Sequence, residues 1–189
     1  MRILKISILT PQKIPEVVAL DRTCLGGLWT EEGYQREVDS PNSSLLTLNL
    51  FDRFQDSKGS SIVGMGCLWS IAEEAHITLL AVHPDFRRQG LGQLLLFVLL
   101  EDAIARNLEW ATLEVNVNNQ AAIDLYQKFG FEVVGKRKGY YQATGEDAAI
   151  LWLKGIQRQD FQLNISQWRE NIEERLRNTG YSLPKSLIN

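Results

Sequence analysis

Cysteine and histidine are scarce in this chain of 189 residues, with two of each. Cys24 and Cys67 are too few for a disulfide framework, and neither a C-x-x-C pair nor a histidine cluster offers a zinc site. Both thiols are expected to be reduced and buried, and no metal is expected. His76 and His83 sit in unrelated contexts, so each is given a structural or surface role and neither a catalytic one. An excess of positive charge is also missing. Lys and Arg total 20 against 23 Asp and Glu, a net charge of −3, which gives no general attraction to nucleic acid. The apolar run Leu94–Leu100 is too short to cross a bilayer, and Met1-Arg2-Ile3-Leu4-Lys5 lacks the form of a signal peptide. A cytoplasmic protein with no membrane or direct nucleic-acid partner is expected; oligomeric state cannot be read. Two phosphate motifs are wanting too. There is no G-x-x-x-x-G-K-[ST] loop and no G-x-G-x-x-G opening a helix, which argues against an ordinary triphosphate or dinucleotide site.

What the chain has instead is His83-Pro84-Asp85-Phe86-Arg87-Arg88-Gln89-Gly90-Leu91-Gly92-Gln93. Ile77–Val82 before it is short, apolar and partly β-branched, and reads as a strand. Leu94–Arg106 after it is rich in Leu and Ala and too long for a typical strand, so it reads as a buried helix. The first N–H groups of a helix have no internal partner and carry partial positive charge. Gly90 and Gly92 let a ligand approach the backbone, and Arg87 and Arg88 add full charge. The turn is suited to phosphate, although on the two glycines alone a turn that merely starts a helix is the favoured reading.

Further motifs decide the matter. Arg87-x-x-Gly90-x-Gly92 resembles the Gln/Arg-x-x-Gly-x-Gly/Ala signature of the GCN5-related N-acetyltransferases, whose loop holds the pyrophosphate of coenzyme A. Leu113-Glu114-Val115 and Asn119–Phe131 look like the rest of that family's core. Tyr140-Tyr141 stands at the spacing found in the RimI-type branch, which acetylates protein N-terminal amines. The resemblance is strong over 77–141, weaker before it, and does not cover the last thirty-odd residues.

Read in order, the chain gives a strand at Ile3–Ile8, then a helix entered through Thr10-Pro11 with an Ile14/Val17/Val18/Leu20 stripe. Gly26-Gly27 ends it and Thr30-Glu31-Glu32 opens a second short helix, flanked by Trp29 and Tyr34. Strands follow at Leu45–Phe51 and Ile62–Ile71, joined by a polar turn at 52–60; Gly64 and Gly66 suggest a bulge or a close backbone approach. Trp110–Asn116 is a fifth strand, and Glu114 in it is an anomaly between Leu113 and Val115. It is either a solvated or cation-paired carboxylate, or a general base beside a cleft. A helix capped by Asn118 or Asn119 ends at Gly130, and Tyr126 lies on its apolar face. Phe131–Val134 and Ala148–Leu153 close a mixed α/β sheet. Past Gly155, Asn164 can cap a further helix striped by Ile165, Trp168, Ile172 and Leu176. The division expected is an acetyltransferase domain over 1–155 and a helical extension over 156–189, with every cofactor contact in the first.

The resemblance implies a splayed sheet flanked by helices, with acetyl-CoA as cosubstrate between the diverging fourth and fifth strands. It implies that backbone groups of Leu80, Ala81 and Val82 hold the pantetheine and acetyl carbonyl. The backbone N–H groups of Arg88, Gln89, Gly90, Leu91, Gly92 and Gln93 would hold the pyrophosphate, with Asn119 also touching the cofactor. Glu114 would be the base, Tyr126 the acid, and Trp29, Tyr140 and Tyr141 would line the acceptor groove. The acceptor implied is a protein N-terminus, the alanine of a small-subunit ribosomal protein. An acetyltransferase acting on lysine, a polyamine or another small amine stays open at this point, as does a non-catalytic acetyl-CoA-sensing module.

Overall fold

The computed structural model describes residues 2–52 and 60–183. The polar turn expected at 52–60 falls largely outside them. Strands β1 (Arg2–Ile8), β2 (Ser43–Asp52), β3 (Ser61–Ile71) and β4 (Glu74–Val82) form the first half of the chain, with helices α1 (Ile14–Leu25) and α2 (Glu31–Asp39) between β1 and β2. Helix α3 (Leu91–Ala105), β5 (Trp110–Asn116), α4 (Gln120–Lys128), β6 (Glu132–Tyr141), β7 (Glu146–Lys154), α5 (Gln159–Asn178) and β8 (Tyr181–Ser182) follow. The described strands make one sheet of eight, in the order β6-β7-β5-β4-β3-β2-β1-β8. All neighbours are antiparallel except β4 with β5 and β1 with β8. The mixed α/β sheet flanked by helices is the fold the resemblance implied.

Each face of the sheet buries its own cluster. Helix α3 is apolar on every side because it lies in the middle of one layer: Leu91 and Leu94–Leu100 are all at most 1% exposed. Burying a side chain of this size stabilises the fold by about 1.5–3 kcal/mol relative to leaving it in water. The two strand glycines let α3 sit close, since a Cβ on Gly64 or Gly66 would come within 2.9 Å of Leu95 or Leu99. On the other face α1 and α2 cover Met65, Cys67, Leu79 and Ala81 with Val17, Val18 and Tyr34. Burial pushes the Cys67 thiol up to about 11, so it stays protonated there.

Two elements differ from expectation. Strand β6 runs on to Tyr141, well past Val134, with nearly every residue exposed. It is an edge strand, and Lys136, Arg137 and Lys138 are the charges that keep such an edge from pairing further. Helix α5 begins at Gln159, so Asn164 lies inside it rather than capping it. Its stripe turns inward: Phe161, Ile172 and Leu176 join the same apolar cluster as α3, and β8 pairs with β1. Leu176→Ala is therefore expected to cost about 2–5 kcal/mol of stability, the range for a buried leucine truncated to alanine. The check is the urea midpoint followed through tryptophans at 29 and 69, on the far face of the sheet. A loss confined to melting of α5 would mark 156–189 as a separate unit.

Candidate active site

The parallel strands β4 and β5 are hydrogen-bonded only at their starts, where Glu74, Ala75 and His76 stand opposite Trp110, Ala111 and Thr112. Beyond that they part. A bulge marks the same place: Cys67 opposes Leu79 and Leu68 opposes Ile77, leaving Thr78 as the extra residue. The bulge reverses the strand's alternation. Ala75 and Ile77 belong to the α3 side, whereas Leu79 and Ala81 belong to the α1 side. Leu80 and Val82 are thereby turned toward the opening. His83 donates its N–H to Val63 of β3 at 2.9 Å, so strand alternation points the N–H and C=O of Val82 away from β3, into the gap. Arg87 Nε donates to that carbonyl at 3.0 Å.

The gap leads into a cleft of about 620 Å³ lined by Leu80, Ala81, Val82, Arg88, Gly90, Gly92, Gln93 and Asn119 among others. Eight of the ten expected cofactor residues thus stand together around it. The side chains of the other two serve the fold, Leu91 in the core and Gln89 accepting from the Tyr181 hydroxyl, while their backbone belongs to the same turn. Arg88 (φ 63) and Gly90 (φ 93) both adopt the left-handed conformation, which makes a concave turn of N–H groups at the start of α3. Arg87, Arg88, Lys128 and Arg175 bring positive charge to the lining, against Asp124. Asn119 caps α4, its Oδ1 accepting from Ala122 N at 3.2 Å. A thin passage between parted strands that opens on a cationic turn suits the pantetheine arm and pyrophosphate of coenzyme A. Arg175 was outside every expectation: it comes from α5, in the segment where no cofactor contact was foreseen.

Tyr126 also lines the cleft, with 7% of its surface exposed. Its ring meets Phe131 edge-on at 5.8 Å. Burial, helped by Tyr141 nearby, raises its phenol above the ordinary range, so the proton stays on oxygen at neutral pH. The described residues lining the cleft do not include Glu114. It stands on the polar face of β5, its side chain 9% exposed, with Leu113 and Val115 turned into the core. One oxygen lies 3.0 Å from Arg137 of β6, which reaches across β7. The other lies 3.3 Å from His76 Nε2. His76 Nδ1 in turn approaches Thr112 Oγ1 at 2.9 Å and Glu74 at 3.2 Å, and Thr112 donates to Glu74. Neither partner of Glu114 was singled out from sequence. His76 could be found only through the register that sets it opposite Thr112, two residues from Glu114.

The three expected acceptor residues frame this face. Tyr140 and Tyr141 pack edge to face at 5.2 Å. Burial raises both phenols, and the Glu114 charge adds to the rise in each. Their turn is pinned by Asp147, which takes the Gly139 N–H at 2.8 Å and pairs with Lys136 at 2.6 Å. Trp29 stacks flat on Trp69 at 6.4 Å, and Trp69 lies 6.3 Å from His76. Fully buried Asp21 fixes Trp29 by accepting from the backbone N–H of Leu28 and Trp29, each at 2.9 Å, and from the Tyr34 hydroxyl. Tyr34 is thus core, whereas Trp29 ends a row of rings that leads to Glu114.

The family model described as Acetyltransferase (GNAT) family matches residues 14–131. The chain is 31% identical over 150 residues to the ribosomal protein bS18-alanine N-acetyltransferase of Escherichia coli, covering 78% of this chain and 95% of that one. The crystal structure of the Escherichia coli ribosomal-protein-S18-alanine N-acetyltransferase superposes with a TM-score of 0.68 at 27% identity, over 80% of this chain and 93% of that one. In fold alone, Arabidopsis thaliana NAA60 in complex with acetyl-CoA is similar at a TM-score of 0.72 and 16% identity, over 80% and 98% of the two chains. Among the described residues no helix is long and apolar enough to cross a membrane. From the parted strands, the cationic turn and these likenesses together, the chain belongs to the GNAT family and is an acetyl-CoA-dependent N-acetyltransferase.

Proposed function

We propose that the acceptor is the N-terminal α-amine of a protein, with the exposed alanine of a small-subunit ribosomal protein as the preferred case. The observation that carries this is a pair of ionisable groups on β5, the strand that parts from β4, and on α4, the helix that follows it. Glu114, a nearly buried carboxylate, faces a groove of aromatic rings, and Tyr126, a protonated phenol, faces the cofactor cleft. The names of the relatives support the acceptor class.

Bound acetyl-CoA supplies the acetyl group as an activated thioester. Glu114 takes a proton from the incoming amine, through water, while His76 and Arg137 hold the carboxylate in place. The Val82 N–H, turned into the gap, stabilises negative charge developing on the acetyl oxygen. Tyr126 gives its proton to the departing thiolate. Trp29, Tyr140 and Tyr141 orient a short peptide backbone. Amine acidity favours a terminus: at pH 7 an α-amine of pKa about 7.9 is roughly a tenth neutral, and a lysine of pKa about 10.4 only about 0.04%.

The test is a competition between two peptides of one sequence, one starting with a free alanine and the other with its α-amine blocked and an internal lysine free. Transfer to the free alanine is expected to be at least about tenfold faster, a discount on the difference in neutral amine. Faster transfer to the lysine would overturn the acceptor and leave the acetyltransferase chemistry standing.

A further inference from the structure

Arg175 projects from α5 across the turn that opens α3. Its Nη2 donates to the Arg88 carbonyl at 3.2 Å, and it lines the cofactor cleft. A Cβ built on Gly90 would lie 3.1 Å from Arg175 Cδ and 3.2 Å from Nε, so the side chain passes directly over the glycine. A second tether lies beside it, where the Tyr181 hydroxyl after α5 donates to Gln89 in the same turn. Helix α5 is anchored for this reach: Ile172 and Leu176, flanking Arg175 on the helix, are 5% and 1% exposed. Trp168 packs on Phe129 at 4.8 Å and Phe161 at 5.4 Å. The segment beyond residue 155 therefore reaches the cleft with a cation on a fixed support. Arg175 lies outside the 14–131 stretch that matches the family model.

A guanidinium has five N–H donors in a planar fork, and the Arg88 carbonyl takes one. The left-handed residues Arg88 and Gly90 beneath it form the concave turn of N–H groups already described. We infer that Arg175 is a pyrophosphate-binding residue for coenzyme A. It closes the turn from the side that the α3 backbone leaves open, so that the C-terminal extension completes the cofactor site. This rests on the acetyl-CoA reading of the cleft. It also gives Gly90 a second role beyond its φ: a side chain there would press on the arginine and make it shift.

The test is calorimetry of Arg175→Gln and Arg175→Lys with coenzyme A, dephospho-coenzyme A and pantetheine. For Arg175→Gln, affinity for coenzyme A and dephospho-coenzyme A is expected to fall equally, about tenfold, the scale of one partly exposed charge-assisted contact. Pantetheine, which has no pyrophosphate, should bind wild type and variant alike. Arg175→Lys should recover part of the loss by keeping the charge without the fork. The gap between wild type and Arg175→Gln should narrow as salt is raised, which a purely structural tether on Arg88 would not do. Unchanged affinity in a variant with wild-type melting would overturn the inference. A loss seen with coenzyme A but not with dephospho-coenzyme A would also overturn it, by placing the contact on the 3′-phosphate. Failure of the wild type itself to bind coenzyme A would instead sink the reading of the cleft.

Discussion

Glu114→Gln is expected to lower kcat by about 10²–10⁴-fold, the span that a positioned general base contributes, with coenzyme A affinity unchanged. The substitution keeps the shape of the side chain and removes its basicity. Arg137 and His76 lose a charged partner but sit at the edge of the groove, where Arg137 is largely exposed and can turn to water. Stability should therefore change little, because an exposed partner screens the loss. Cofactor binding should hold because the described residues around the cleft do not include Glu114. Two companions sharpen the result. Tyr126→Phe should also lower kcat without weakening coenzyme A binding, since it deletes one hydroxyl and keeps the buried ring. Burial holds the Tyr126 proton on oxygen across neutral pH, so its loss should be flat between about pH 6 and 9. Turnover at the wild-type level across the whole pH range would end the assignment of Glu114.

The cofactor turn could be read from sequence because its chemistry is local. Arg87 to Gln93 lie within one turn of chain, and the glycines, the arginines and the helix start all act on the same few atoms. Glu114 was legible for a similar reason: a carboxylate between Leu113 and Val115 stands out in any strand pattern. What surrounds it was not. Arg137 reaches Glu114 from two strands away, and His76 from the neighbouring strand, so both depend on sheet order and register. The bulge at Thr78, which reverses the facing of Leu80 and Val82, carries no composition signal, since Thr is at home in a regular strand. Strand β6 gave no alternation to read because both of its faces meet solvent over most of its length. The stripe of α5 was visible, but a stripe says only that a helix must bury one side. Which surface receives it, and that Arg175 then arrives over Gly90, follows from packing alone.

Gly90→Asp should weaken coenzyme A binding by about 10²-fold or more while leaving a folded protein. Three effects point the same way. Gly90 sits at φ 93, where an L side chain is strained, and such a residue costs of order 1–3 kcal/mol. A Cβ there meets Arg175 at 3.1 Å, so the arginine must give way. The new carboxylate either repels the pyrophosphate or pairs with Arg175 and cancels its charge. Two unit charges about 4 Å apart interact by roughly 4 kcal/mol at an effective dielectric of about 20, more than the strain is worth. Charge thus outweighs strain, and Gly90→Ala separates the two. Alanine imposes the strain and the steric push without the carboxylate, so its loss of affinity should be nearer about tenfold. Both variants should melt somewhat lower than wild type by a similar amount, because the strain is common to them. The measurement is calorimetric titration with coenzyme A and with pantetheine for the three proteins, beside their melting curves. Pantetheine affinity should be nearly the same in all three, since it carries no charge to repel. Wild-type affinity for coenzyme A in folded Gly90→Asp would remove the pyrophosphate from this turn, and Arg175 would lose its proposed ligand with it.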